Sequence, residues 1–343
     1  MPERRTSPSP AITPGSTAKV GTVGAALERG DVTPSTLLKS CIGGYQFGNR
    51  FFKCWERTGR HGSLSAAHAI EQSCDVYMYQ IGLKMGVDAL SDFYVKCGFS
   101  RPTGIDLPGE LAGLIPTEAY YDKRYGKRGW TRALVLNNSI GQGEVLATPL
   151  QLAQLYCGLA SNGLVYQPHM VKKMTAPNGD EREVRPKVAF ALPFSDATMA
   201  TLKEGVELVV WGGGGTAKSL RRTKYRIGGK TGTSQNPHGN DHSWFVGVAP
   251  LWNPEIVIAA IVENAGHGSE VAAPAVGKII DVYMKKKLDP EAFYAEQQAK
   301  ADSLAGRMPV ADTTKAARVT TAQRKPDRVA SAATVTVTAE EAD

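Results

Sequence analysis

The sequence is short of several things, and each shortage excludes something. Its longest apolar run, Ile256 to Val262, is seven residues, against the ~20 a membrane-spanning helix needs. Met1 to Pro14 carries no apolar stretch of the kind a secretory leader shows. Charged residues are only 21% of 343, against 42% hydrophobic, which excludes wholesale disorder. The glycine run Gly212–Gly215 lacks the Gly-Lys-Ser/Thr that would make it a phosphate loop, and it reads as a connector before Thr216-Ala217. The basic stretch Arg221, Arg222, Lys224, Arg226 has no interleaved aromatics and no nucleic-acid module around it. It reads as a solvated face or an attractor for an anionic polymer, not a nucleic-acid site. Aromatics stop at Tyr294, and no internal repeat is visible.

What is present is a basic, turn-rich body. Net charge is +7, while Leu288 to Asp343 holds seven cations and nine anions, so the positive charge belongs to the part before the tail. Three segments follow: a polar, Pro-rich and disordered lead-in at 1–13, a folded domain at 14–286, and a disordered tail at 287–343. Within the domain, patterning predicts a helix over 17–29 and a hairpin over 45–55 turning near Gly48-Asn49. Helices follow over 65–97 and over 148–161, the latter with Thr148 as N-cap and Pro149 at its first position. A second hairpin is expected over 170–185 turning at Asn178-Gly179, then a helix over 196–210. Three strands come close together at 225–234, 243–249 and 255–263, before a last helix over 273–285. Helices first and consecutive strands later indicate an α+β fold, an antiparallel sheet packed on helices.

Three short motifs carry chemistry. In Ser16-Thr17-Ala18-Lys19 the lysine lies three positions after the serine, on the same helical face, where an amine can act as base for the hydroxyl. In Ser73-Cys74-Asp75 two polar groups one residue apart face the same side of an extended loop, which suits a proton relay. In Lys230-Thr231-Gly232-Thr233 a strand offers a lysine and threonines to a carboxylate, with glycine leaving room for a substrate backbone. Each has an ordinary reading alone: a helix N-cap beside an exposed lysine, a Ser/Asp cap, a polar edge strand. Their co-occurrence in this order shifts the balance.

Taken with Thr103 to Glu110 (TGIDLPGE), Asn138 to Leu150 (NSIGQGEVLATPL), Lys230 to Gln235 (KTGTSQ) and Ser243 to Pro250 (SWFVGVAP), the chain resembles the class B, elongation-type penicillin-binding proteins. The resemblance runs from about Thr13 to Lys286, with Asp75 where serine β-lactamases carry Asn. It implies a penicillin-binding/serine β-lactamase-like transpeptidase fold. It also implies a DD-transpeptidase that cross-links peptidoglycan stem peptides and binds β-lactams. Ser16 would be nucleophile and Lys19 its base; Ser73, Asp75 and Lys230 would assist. Thr231, Gly232 and Thr233 would receive the substrate, and the chemistry would need no cofactor. Implied partners are a lipid-linked-glycan polymerase and elongation-complex proteins, at the periplasmic face of the bacterial inner membrane. The family places a helix, two strands, a pedestal and a membrane anchor before the nucleophile. The chain is therefore expected to be a fragment, with three of about five sheet strands and a long exposed edge. The alternatives are a non-catalytic β-lactam-binding fragment and a DD-carboxypeptidase or serine β-lactamase.

The cysteines, odd in number at five, pose a separate question. Cys41, Cys54, His61 and Cys74 lie within 34 residues and form a Cys₃His set of the type that closes around structural zinc. A Cys41–Cys54 disulfide and inert buried thiols are the rivals. Cys97 and Cys157 lie in apolar helical surroundings and read as core. His238 and His242 could form a surface metal pair, but ordinary turn and loop residues are the better reading.

Overall fold

The computed structural model describes residues 10–305 and 332–337. A 3₁₀ turn, Gly15–Ala18, leads into α1 (Lys19–Glu28), so Ser16 sits in the tight turn and Lys19 begins the helix. The expected hairpin is β1 (Gly44–Phe47) with β2 (Arg50–Lys53), closed by Gly48-Asn49 with Gly48 at φ +55°. The helical stretch splits into α2 (Ala66–Glu71), α3 (Asp75–Met85) and α4 (Val87–Lys96). Patterning left 103–147 unassigned; it holds α5 (Glu118–Tyr125) and α6 (Leu134–Ser139). Next comes α7 (Pro149–Ala160), whose Thr148 and Gln151 form a reciprocal capping box. It is buried on every side, which explains its continuous apolar sequence.

A peripheral group follows. β3 (Leu164–Tyr166) pairs with β6 (Val188–Ala191), and between them β4 (Lys173–Thr175) and β5 (Glu181–Glu183) form the expected hairpin at Asn178-Gly179. Patterning gave no sign of the β3–β6 pair, which is short and joins segments more than twenty residues apart. Then come α8 (Asp196–Trp211), β7 (Gly228–Ser234), β8 (His242–Ala249), β9 (Ile256–Val262), α9 (Ala272–Leu288) and α10 (Pro290–Ala305). The last element, β10, spans Ala332–Val337.

The main sheet is antiparallel, in the order β10-β9-β8-β7. One apolar cluster, from Ala18 through Tyr156 and Trp244 to Met284, fills the space between its faces and the helices. Three expectations change here. The edge of β9 is not open: β10 pairs along it from Ala332↔Val262 to Val337↔Val257, so the sheet has four strands among the described residues. The tail after 287 also begins as helix, and its Ala-Thr-Val-Thr-Val run has the β-branched alternation a strand favours. The lead-in is likewise not wholly without structure: Ile12 exchanges two backbone hydrogen bonds of 2.9 Å with Ala147. Residues 1–9 of that lead-in lie outside the described residues.

Candidate active site

The three motifs, drawn from Ser16 at one end to Thr233 at the other, meet at the open edge of β7. Gly15, at φ +53°, presses so closely on β7 that a Cβ there would collide with the Thr233 carbonyl oxygen. Gly141, at φ +68°, packs on the Gly15 carbonyl in the same way, and the Gly15 N–H donates to the Gly141 carbonyl at 2.9 Å. The turn bearing Ser16 is thus clamped between β7 and the Gly141-Gln142-Gly143 loop. Gly232 also has its reason here. A Cβ on it would lie 2.8 Å from Thr17 Cγ2 and 3.0 Å from Trp244 Cβ, so the turn bearing Ser16, rather than substrate clearance, demands glycine.

Lys19 is fully buried, and its amine reaches the Ser73 carbonyl (2.8 Å), Ser73 Oγ (3.1 Å) and Asp75 Oδ1 (2.6 Å). Three acceptors match the three donors of an ammonium. Ser73 supplies two of them by adopting φ +54°, a left-handed conformation uncommon outside glycine and found where function over-determines the backbone. Asp75 Oδ2 accepts the Trp55 backbone N–H at 2.8 Å. Burial raises the Asp75 carboxyl above the usual range, opposed by the Lys19 charge. Ser16 is half-buried beside this nest, the one member of its turn open to solvent.

Lys230 is also fully buried, donating to the Thr231 carbonyl at 3.0 Å. Burial first, then the Lys19 charge, push it well below the ordinary lysine range. Ser73 therefore contacts Lys19 directly, while Lys230 stands on the Thr231 side.

Backbone geometry orients Thr233. In an antiparallel strand the N–H and C=O of one residue point to the same edge. The Thr233 carbonyl accepts the Gln142 side-chain amide at 2.7 Å, away from β8. Its N–H therefore also faces the open edge, toward Gly15 and Ser16, where an oxyanion would need a donor.

Sequence reasoning gave no role to Gln142 or to Thr216. Thr216 Oγ1 lies 2.7 Å from Thr231 Oγ1 and fixes a hydroxyl of the Lys-Thr-Gly-Thr strand. The glycine run before it is not a loose connector, because Gly214 N–H is held at 2.7 Å by the buried Glu71 carboxylate. The Gly-Gln-Gly bracket was the available signal for Gln142; a lone threonine after a glycine run offers none. The basic stretch is likewise partly structural. Arg221 donates to Val210 and Gly212 carbonyls, and Arg226 pairs with Glu207 and lies over Trp211. Of the surface histidines, His242 uses Nδ1 to accept the Asn264 N–H at 3.0 Å.

Behind Asp75 lies the thiol cluster. The Cys41, Cys54 and Cys74 sulfurs and a His61 ring nitrogen fall within 4.8 Å of one another, all buried. The hairpin brings Cys54 back (its N–H donates to the Gly43 carbonyl at 2.9 Å), and Cys41 pairs with Gly62 beside His61. All five cysteines are free thiols. Cys54 Sγ is 3.6 Å from His61 Nδ1, and the hydrogen bond from Cys74 holds the Cys54 thiol well below its usual range despite burial. Three sulfurs and a nitrogen converging so closely fit a tetrahedral ion, whose ligand atoms lie about 3.8 Å apart at ~2.3 Å bonds. Cys97 and Cys157 are buried in the apolar core, as expected.

Comparison with known proteins agrees with this geometry. Residues 5–281 match the family model described as the penicillin binding protein transpeptidase domain. The chain is 35% identical over 318 residues to the peptidoglycan D,D-transpeptidase MrdA of Haemophilus influenzae, covering 85% of this chain and 47% of that protein. It thus spans about half the length of that curated relative. Among solved structures it is similar to Pseudomonas aeruginosa PBP2 in complex with WCK 5153 (TM-score 0.70, 35% identity, 79% of this chain and 58% of that one). It is also similar to the complex between PBP2 and MreC from Helicobacter pylori (TM-score 0.70, 30% identity, 81% and 50%).

Proposed function

The chain belongs to the penicillin-binding protein transpeptidase family, and from that premise we propose that it cross-links peptidoglycan stem peptides through an acyl-enzyme on Ser16. The observation that carries this reading is the buried Lys19–Ser73–Asp75 nest beside a half-exposed Ser16, under a strand edge that offers the Thr233 N–H.

When the proton Lys19 shares with Asp75 sits on the carboxyl, Lys19 is a neutral amine and takes the Ser16 proton while Oγ attacks the penultimate D-Ala carbonyl. The backbone N–H groups of Ser16 and Thr233 receive the oxyanion. Collapse breaks the peptide C–N bond, and the terminal D-Ala amine takes the proton from Lys19 through the Ser73 hydroxyl. Thr231 and Thr233 hold the substrate carboxylate, with Thr216 fixing the Thr231 hydroxyl. An acceptor amine then attacks the ester, gives up its proton to the same relay and restores Ser16. A β-lactam acylates Ser16 by the first half of this sequence, its ring amide replacing the D-Ala–D-Ala bond.

Cys41, Cys54, His61 and Cys74 would hold a structural zinc that supplies no open coordination position and no chemistry on the substrate. Their role would be to tie the β1–β2 hairpin to the Ser73–Asp75 loop, keeping the Trp55 N–H on Asp75. The partners would be a lipid-linked-glycan polymerase and a shape-complex protein such as the MreC bound to the Helicobacter pylori relative, at the periplasmic face of the inner membrane. No helix among the described residues is long and apolar enough to cross a membrane.

The decisive experiment is exposure to fluorescent penicillin, followed by a D-Ala-D-Ala substrate with and without an acceptor amine. Covalent labelling that disappears in Ser16→Ala, with product favouring aminolysis over hydrolysis, is expected. Labelling that survives Ser16→Ala sinks the assignment, and rapid hydrolysis with no aminolysis turns it into a carboxypeptidase.

A further inference from the structure

Between Thr117 and Arg132 lie five cationic side chains, Lys123, Arg124, Lys127, Arg128 and Arg132, all exposed, against the carboxylates of Glu118 and Asp122, with Glu144 beside them. Cations at several other places on the surface have acidic partners: Arg29 has Asp31, Lys96 has Asp92, Lys173 has Glu181 and Arg226 has Glu207. Here Asp122 is taken by the Trp130 indole N–H at 2.8 Å. Glu144 is shared between Arg124, at 3.1 Å, and the phenols of Tyr120 and Tyr125. Among the described residues Lys123, Lys127 and Arg128 meet no carboxylate.

These charges are carried on a braced support. Tyr121 is buried, stacks on Tyr125 and packs at a tilt on Trp130, with ring centroids 6.2 and 5.5 Å away. Arg132 donates to the Leu83 carbonyl at 2.7 Å. The anchor Glu144 lies two residues beyond Gln142, whose amide touches Thr233, so the lip is joined to the cleft by under ~8 Å of chain.

We propose that this cationic lip binds the carboxylate-bearing stems of an uncross-linked peptidoglycan strand, outside the cleft that holds the D-Ala-D-Ala terminus. The proposal rests on the acyl-transfer reading above and adds a surface that retains the polymer beside Ser16. Exposed charges attract over roughly a Debye length, ~8 Å at physiological salt, which raises encounter rates and fixes register more than it deepens affinity.

The test is co-sedimentation of the full chain with uncross-linked peptidoglycan strands, against the triple variant Lys123→Glu/Lys127→Glu/Arg128→Glu. At low salt the variant should bind about tenfold or more weakly and lose most of its salt dependence. Strands with amidated stem carboxylates should bind wild type no better than native strands bind the variant. Penicillin labelling of Ser16 should be unchanged, which shows that the variant is folded. If charge reversal unfolds the chain, the neutral Lys123→Gln/Lys127→Gln/Arg128→Gln variant reads the same difference. Wild-type-like strand binding by the folded variant overturns the proposal, as does a preference of wild type for anionic phospholipid vesicles over strands. Absence of penicillin labelling in wild type would sink the acyl-transfer reading instead, and the co-sedimentation result would stand by itself.

Discussion

The lysine nest around Ser16 and the thiol cluster behind it both border Asp75, yet they settle their buried polar groups in opposite ways. In the nest every charge has an internal partner: Lys19 has three acceptors, and Asp75 answers with one oxygen to Lys19 and the other to the Trp55 N–H. In the cluster three sulfurs and an imidazole converge chiefly on one another. The nest is complete as protein; the cluster has the donor set and spacing that an ion would complete. Because Trp55 follows Cys54 and Asp75 follows Cys74, whatever holds the cluster together also holds the nest's carboxylate in place.

Removing the centre of the nest should have the largest effect. Lys19→Met is expected to lower penicillin acylation by about 10³-fold or more, since base and relay contact go together. It also strands Asp75 as an unpaired buried carboxylate, a loss of about 3–5 kcal/mol in urea unfolding. Near-wild-type acylation in this variant would break the claim that the nest is catalytic.

Next is the link between the regions. Purified protein should contain about one zinc, and Cys54→Ser should lose it, with a fall in urea midpoint, because metal binding is coupled to folding. Acylation should slow as well, through the loosened Trp55–Asp75 contact. If metal-free and metal-loaded protein share one unfolding midpoint, the cluster is only a set of buried thiols.

Gln142→Ala sharpens the comparison within the cleft. Loss of the clamp on Thr233 should slow the acylation step about 10-fold while leaving pre-covalent β-lactam binding nearly unchanged, as expected for a group acting on the oxyanion donor. An equal change in both constants would reduce Gln142 to a structural contact.

The smallest effect concerns stability and pH. Burial, aided by the Lys19 charge, lowers the folded-state pKa of Lys230, so between that value and the unfolded ~10.4 only the unfolded chain holds the proton. Stability contributed at this site therefore rises with pH in that window. Lys230→Met should lose acylation yet melt higher than wild type near pH 7, with the difference shrinking as pH approaches 10. A difference that grows with pH would show that the buried lysine is charged in the folded chain.

Much of this was legible in the sequence for a definite reason. Ser16 and Lys19 are joined by helical spacing and the threonines of β7 by the two-residue strand period, both local rules; the extended loop expected at Ser73–Asp75 is instead a left-handed Ser73 shortly before Asp75 opens α3. The hairpin at Gly48-Asn49, the capping box at Thr148 and the strands from β7 to β9 follow from equally local cues. The β3–β6 pairing and the strand β10 were not legible, because their partners lie far away in the chain. Nor was the reason for Gly232, which is set by Thr17 and Trp244 rather than by its own strand.

By itself, then, the sequence determined which functional groups this protein owns and which local frames present them: a serine on a tight turn, a lysine three residues on, a polar strand, and four soft ligands. Only the tertiary structure decided what they do together. It turned Lys19 onto Ser73 and Asp75, turned the Thr233 N–H toward the Ser16 turn by anchoring its carbonyl on Gln142, and placed the thiols behind the carboxylate. The physical reason is range. Periodicity and capping act over a few residues, whereas hydrogen bonding and charge–charge contact require a few ångströms in space, and only the packed core brings residues some two hundred positions apart to that separation.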